Sequence, residues 1–365
     1  MIPIVLAGGS GTRFWPLSRR QRPKQLLALL GDDRPMIQVT VDRLQPLTSG
    51  DQPVYIVCRP GLVDQTRRAL DDQQSVEFIT EPAARNTAPA IALACAHIEN
   101  HYGDVPVGLF PADHFVGDQR GFEQCLEVAE TRADDGAIIT LGVMPNRPET
   151  GYGYIETATA PTASTDRPQA LDVRAFVEKP DRQRAVEYLA SGRYLWNAGI
   201  FVCTPSSLWR EFRRQRPDMW NSIDAIRDAL TAGADGVESS SAIGAAFRDM
   251  ESISIDYAVM ESADDVEVIP ALFQWSDVGH WGALDEVLET DDDGNVVDGD
   301  AILDDVHGSV VISTADDGRT IAASSLDDVV IVDTDDAVLV VPKERAQKVR
   351  DIIAELRRRK RDDLL

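Results

Sequence analysis

The chain has 365 residues, enough to bury a sizeable core in about two domains, and 43% of them are hydrophobic, the share of an ordinary globular protein. A formal net charge of −25, from 61 acidic and 36 basic residues, argues against nucleic acid or anionic membrane as partners. No stretch of 18 apolar residues is present and Met1 leads into a strand pattern rather than a signal peptide, so the expectation is a cytoplasmic protein.

Cys58, Cys95, Cys125 and Cys203 are far apart and form no C-x-x-C pair, which points to reduced, buried thiols. Only five lysines occur, so nearly all positive charge is arginine, and acidic residues run through stretches such as 291–293 and 335–336. Such an acidic surface fits a salt-rich cytoplasm, where screening relieves self-repulsion.

The first element is an apolar run, Ile2–Leu6, that stops at Ala7-Gly8-Gly9-Ser10-Gly11-Thr12-Arg13. Glycines let a backbone turn tightly and present bare N–H groups, and Arg13 and Lys24 add a planar fork of donors and a compact charge suited to phosphate. The pattern is neither G-x-x-x-x-G-K-[ST] nor a helix-opening G-x-G-x-x-G. Further strands are expected at 54–58, 76–80, 107–110 and 137–143, with helices at 35–44, 62–70, 88–100 and 122–133 between them. That alternation predicts an α/β fold with a mainly parallel sheet, whose ligands gather beyond the carboxyl ends of the strands.

From 151 to about 282 the pattern is mixed. Strands are read at 154–156, 173–178, 199–203 and 266–270, helices at 181–191, 206–214 and 223–232, and an exposed hairpin loop at 158–169. Composition shifts near residue 290, dividing the chain into 1–290 and 291–365. Short runs at 296–297, 301–303, 309–313, 320–323, 329–332 and 337–341 then predict a small β domain or β-helix, and 342–361 an amphipathic helix with Val349, Ile352, Ile353 and Leu356 on one face. The apolar module and this helix form a candidate homodimer surface. The arginine-rich helix end reads as a solvated terminus.

Beyond the glycine loop, six blocks carry chemistry. Glu81-Pro82-Ala83-Ala84-Arg85-Asn86-Thr87-Ala88-Pro89-Ala90 follows a strand and opens a helix; a carboxylate or amide oxygen there matches the two donors of guanine, N1–H and the exocyclic amine, while simple capping is the plainer alternative. Pro111-Ala112-Asp113-His114 and Trp275-Ser276-Asp277-Val278-Gly279 each offer an isolated aspartate, and each alone would serve as a turn or cap. The segments around Gly153, around Glu178-Lys179-Pro180 and around Trp196-Asn197 offer carboxylate, amide and ammonium groups suited to a sugar and its phosphate. Tyr152, Tyr154 and Trp196 read as core residues, and Ser254–Glu261 as a capped, packed helix.

These blocks, from L-A-G-G-S-G-T-R through P-K-Q, E-P-x-x-R-N-T-A-P-A, P-A-D-H, E-T-G-Y-G-Y-I, E-K-P, W-N-x-G-I-F and S-I-D-Y-A-V-M-E, resemble the sugar-nucleotide pyrophosphorylases, and within them the mannose-1-phosphate guanylyltransferases. Phe14, Ala28 and Leu29 depart from the family pattern without touching a proposed role. The resemblance implies a Rossmann-like (GT-A-like) nucleotidyltransferase domain, a mixed sheet covered by helices, with a short left-handed β-helix-like module. It implies Mg²⁺ on Asp113 and Asp277 and conversion of GTP and mannose 1-phosphate into GDP-mannose and diphosphate. Leu6 to Thr12, Glu81, Asn86, Thr87 and Pro111 would bind the nucleotide, with Arg13 and Lys24 on its phosphates. Gly153, Glu178, Asn197 and Asp277 would face the hexose, and Lys179 its phosphate. The longer bifunctional relatives carry a cupin-like isomerase domain for which 365 residues leave no room, so no phosphomannose isomerase activity is expected. A pyrophosphorylase for another base or sugar, and a non-catalytic nucleotide-sugar-binding subunit, are the rival expectations.

Overall fold

Ile2–Leu6 (β1) is apolar along its length because it runs through the middle of a sheet covered on both faces. β2 (Val54–Cys58), β3 (Val76–Thr80) and β4 (Val107–Pro111) lie parallel to it in the order β3-β2-β1-β4. The computed structural model describes residues 1–9, 11–48, 50, 52–70, 75–161, 168–232, 237–315 and 318–365. Ser10, half of the expected 158–169 loop and the four residues before 237 therefore lie outside the described residues.

Helices α1 (Met36–Leu44), α2 (Val63–Arg68) and α3 (Thr87–Tyr102) alternate with these strands, and α4 (Gln119–Asp134) follows the short strand β5 (Phe115–Val116). All four fall within a few residues of expectation. Asn86 and Asp118 cap α3 and α4 by accepting main-chain N–H groups, at Thr87 and at Arg120 and Gly121. Residues 88–96 of α3 are apolar or small nearly all round because the helix lies between the sheet and α7 (Pro217–Thr231).

The mainly parallel pattern read over the first 150 residues ends at β4, and beyond it the sheet is mixed, as the resemblance implies. β6 (Ile138–Val143), β7 (Tyr154–Thr157), β8 (Leu171–Val177), β9 (Tyr194–Cys203) and β10 (Val266–Pro270) extend it to nine strands, β3-β2-β1-β4-β9-β6-β10-β8-β7. β9 enters antiparallel between β4 and β6, so a strand from downstream separates two neighbours in sequence. Local alternation carries no signal for such an insertion. The helices of this region are α5 (Arg182–Ser191), α6 (Pro205–Gln215), α7, α8 (Val237–Asp249) and α9 (Ile255–Ala258). The sequence reading missed α8. It also placed the start of α7 six residues late, because Pro217 occupies the first turn, where its missing N–H costs nothing.

The C-terminal module is a β-helix-like stack. β12 (Val296–Asp298), β14 (Val310–Ser313) and β16 (Val329–Asp333) form one parallel ladder, and β13 (Ala301–His307) and β15 (Ile321–Asp327) another. Ala301 pairs with Ile321 and Val310 with Val330, so the two later coils repeat every 20 residues. The left-handed corners share that spacing: Asp305 with Ser325, and Gly308 with Asp328, all at positive φ. β17 (Val338–Pro342) closes the stack antiparallel to β16.

The expected helix over 342–361 is shorter than its pattern suggests. Pro342 ends β17, a 3₁₀ segment spans Lys343–Lys348, and α10 covers Val349–Arg358. Its apolar face is not free for a dimer. Val349 and Ile353 are buried with Phe14, Trp15, Leu27 and Trp281, in one core that also holds Val296, Val310 and Val330. Each of these two side chains contributes roughly 1.5–3 kcal/mol of burial. Trp15 Nε1 donates to Leu364 O at 2.9 Å, fastening the module to the loop after β1, and Trp281 Nε1 donates to Trp15 O at 3.0 Å, bracing that loop. All four cysteines are free and buried, and no described helix is long and apolar enough to cross a membrane.

Candidate active site

The carboxyl ends of β1, β3 and β4 open onto a cleft of about 420 Å³, as parallel strands require of a ligand site. Gly8 and Gly9 come from the loop after β1, Glu81 from the end of β3, Asp113 from the end of β4 and Asn197 from β9. The loop is held from beneath by Gln25, a buried residue whose Nε2 donates to Ala7 O at 2.7 Å and to Gly9 O at 3.3 Å. Two positions there crowd an added side chain, and Gly11 admits only glycine. A methyl group at Gly8 would run into Glu81 Oε1, and one at Gly11, where φ is +49°, into the main chain of Lys24.

Asp113 and Asp277 are brought together by a two-stranded ribbon. β11 (Trp275–Ser276) pairs antiparallel with β5, Ser276 opposite Phe115, so the aspartates flank the same end of the ladder. Lys24, only 5% exposed, closes this end. Its Nζ donates to Asp113 O at 2.7 Å and to Asp277 O at 2.6 Å, and pairs with Asp113 Oδ2 at 3.0 Å. Burial works to raise the Asp113 carboxyl, but Lys24, His114 and Arg13 outweigh it and hold it below the usual carboxylate range. Tyr152 Oη donates to Asp277 Oδ1 at 2.7 Å. Burial drives His114 down to about 4, so its ring is neutral, and its Nδ1 accepts from Trp275 Nε1 at 3.3 Å.

Opposite this pair, burial pushes the Glu81 carboxyl up to about 7, with Arg59 opposing. Asn86 caps α3 and lines the cleft at once, and Thr87 Oγ1 accepts from Ile255 N at 2.9 Å. At the far end Asn197 Oδ1 accepts from Thr140 Oγ1 and Gly199 N, both at 3.0 Å, and Nδ2 donates one of its two protons to Asp256 Oδ1 at 3.0 Å. Burial first, and then the charge of Glu178, push Asp256 up to about 6. Lys179 Nζ pairs with Glu178 Oε1 at 2.5 Å. Burial lowers its ammonium but Glu178 more than compensates, leaving it raised.

A second cavity of about 440 Å³ shares Gly9, Asp113, His114 and Asp277 with the cleft and adds Gly11, Thr12, Arg13, Lys24 and Arg350. The two aspartates therefore stand between a cleft with mixed polar and apolar walls and a cavity lined with cations.

The family follows from comparison with known proteins. Residues 2–294 match the nucleotidyl transferase family model, and residues 287–356 the model for the mannose-phosphate isomerase/GMP-like β-helix domain. The chain belongs to the nucleotidyl transferase family. It is 40% identical over 366 residues to a mannose-1-phosphate guanylyltransferase of Klebsiella pneumoniae, spanning 100% of this chain and 75% of that one. It is 37% identical to the alginate biosynthesis protein AlgA of Pseudomonas aeruginosa, over 98% of this chain and 72% of that one. A crystal structure from Thermus thermophilus, described as a mannose-1-phosphate geranyltransferase, superposes with a TM-score of 0.84 at 33% identity, covering 98% of this chain and 99% of that one. The resemblance read from the sequence motifs is borne out.

Within this nucleotidyl transferase the expected site residues mostly converge. Leu6, Gly8, Gly9, Glu81, Asn86, Thr87, Pro111, Gly153, Glu178 and Asn197 line the cleft, and Gly11, Thr12, Arg13 and Lys24 the cationic cavity. Ala7 instead packs in the core, and Lys179 lines neither space. Two readings of the sequence are corrected. Tyr152, taken for core, faces the cleft and holds Asp277, whereas Tyr154 and Trp196 are buried as expected. Asp256, taken with its neighbours for capping and packing, also lines the cleft, while Ser254 does the capping. A carboxylate two residues beyond a helix cap carries no mark of a nearby site until β9 brings Asn197 against it. Arg350 had no signal either, because its cavity is completed only by the docking of α10.

Proposed function

We propose that the protein makes GDP-mannose and diphosphate from GTP and mannose 1-phosphate. The observation that supports it best is the position of Asp113, Asp277 and Lys24 at the junction of the two cavities, with room for base and sugar on one side and cations on the other. In the reaction, a phosphate oxygen of mannose 1-phosphate forms a bond to the α-phosphorus of GTP. The bond from that phosphorus to the oxygen bridging to the β-phosphate breaks, and its electron pair leaves with diphosphate. Such in-line transfer asks for positioning and charge neutralisation rather than covalent catalysis.

Glu81 would accept from guanine N1–H and its amine, and the loop amides from Gly8 to Thr12 would meet the phosphates. Arg13 would donate to the triphosphate, with Lys24 beside it. Asn197, Glu178 and Asp256 would take the hexose hydroxyls, and Lys179, an exposed side chain paired with Glu178, would turn to the attacking phosphate.

Asp113 Oδ1 and Asp277 Oδ2 accept no hydrogen bond among the described residues, which leaves one oxygen on each carboxylate for a hard divalent cation such as Mg²⁺. When bound, such an ion supplies positive charge to the α-phosphate oxygens as the bond order changes. We also read the acidic composition as an adaptation to a salt-rich cytoplasm, with no nucleic acid or membrane partner.

The test incubates pure protein with Mg²⁺, mannose 1-phosphate and each of the four nucleoside triphosphates, following diphosphate release. Release with GTP alone supports the proposal. Release with another nucleotide moves the assignment to a sister activity, and silence with all four overturns it.

A further inference from the structure

The cationic cavity contains one charge that neither the sequence motifs nor the reaction described above has used. Arg350, in the first turn of α10, lines it from the C-terminal module. Its helix is anchored by Val349 and Ile353, buried against Phe14 and Trp15 directly after the glycine loop, so the guanidinium is delivered to the cavity by packing. Among the described residues the Arg350 side chain has no hydrogen-bond or ion-pair partner. Lys24 is committed to Asp113 and two carbonyls, while Arg13 spends one of its five donors on Gly279 O at 3.3 Å.

The charge balance decides what this means. The side chains of Asp113 and Asp277 balance those of Arg13 and Lys24, so Arg350 is the charge that leaves the cavity positive. Arg350 is exposed to solvent where it lines the cavity, so its charge is open to an incoming anion. A guanidinium offers five donors in a fork that matches adjacent phosphate oxygens, and its binding strength remains available because no partner must first be displaced.

We propose that Arg350 grips the diphosphate end of the nucleoside triphosphate, the β- and γ-phosphates that depart together, so that the β-helix-like module completes the active site. This rests on the reaction proposed above. It separates two groups of ligands: those carrying a β,γ-type diphosphate unit (GTP and diphosphate itself) feel Arg350, and those lacking it (GDP-mannose and mannose 1-phosphate) do not.

Steady-state kinetics of wild type and Arg350→Ala in both directions test the split. The expected result is a rise of about tenfold or more in the KM for GTP and for diphosphate, with those for mannose 1-phosphate and GDP-mannose unchanged within about twofold, and partial recovery in Arg350→Lys. Equal diphosphate KM values in wild type and Arg350→Ala overturn the assignment. Arg350→Gln, which keeps chain length and helix propensity, repeats the reading if the alanine variant melts early. Calorimetric titration of wild type and Arg350→Gln with magnesium diphosphate needs no turnover: binding weakened about tenfold in the variant supports the clamp, and equal binding overturns it. A wild type that binds diphosphate yet releases none from GTP sinks the proposed reaction and leaves the clamp standing.

Discussion

The Lys24 ammonium donates to the main-chain carbonyl of Asp277 at 2.6 Å, tying the loop after the first strand to a strand end 253 residues downstream. The same ammonium pairs with Asp113, so one buried cation sets the spacing of both aspartates. Lys24→Met keeps the volume and removes the charge. The expected outcome is a loss on the order of 2–4 kcal/mol of stability, since a half-buried carboxylate and two carbonyls lose their partner, with near-complete loss of turnover. Denaturant unfolding and diphosphate release measure the two effects. Lys24→Arg should not rescue, because the three oxygens 2.6–3.0 Å from Nζ suit a compact ammonium and not a planar fork.

Asp113→Asn removes a charge that its neighbours hold ionised. It should lower kcat by about a hundredfold or more while nucleotide affinity changes only severalfold. Turnover equal to wild type would remove Asp113 from the proposed metal site.

Glu81 makes the site pH-sensitive. Its carboxyl sits near 7, and only the ionised form can accept from both guanine donors, so GTP affinity should fall as pH drops from 8 to 6. The stability effect runs the other way. Between about pH 4.5 and 7 the folded protein keeps a proton that the unfolded chain has released, so this residue's contribution to stability declines as pH rises through that window. Glu81→Gln should flatten both trends, as read by nucleotide binding and melting temperature across pH.

Lys179→Ala is expected to raise the KM for mannose 1-phosphate about tenfold or more and leave that for GTP near wild type. A change confined to GTP would place Lys179 on the nucleotide instead.

The acidic composition predicts that the melting temperature holds or rises as KCl approaches molar levels. The Debye length there is about 3 Å, against about 8 Å at physiological salt, and self-repulsion is screened. A steady fall with added KCl counts against the salt-rich setting.

Much of this protein is legible in its residues taken in order. Ile2–Leu6 ending in glycines, Glu81 and Asn86 between a strand and a helix, and the short valine runs after residue 290 are local patterns, and local backbone preference and burial suffice to read them. The nine-stranded order, the face of Tyr152, the use of Asp256 and the arrival of Arg350 depend on segments far apart in the chain. β9 between β4 and β6, the β5–β11 ribbon and the docking of α10 on Phe14 and Trp15 decide them. Those placements follow from which apolar faces bury one another, a property of pairs of elements that no single segment encodes.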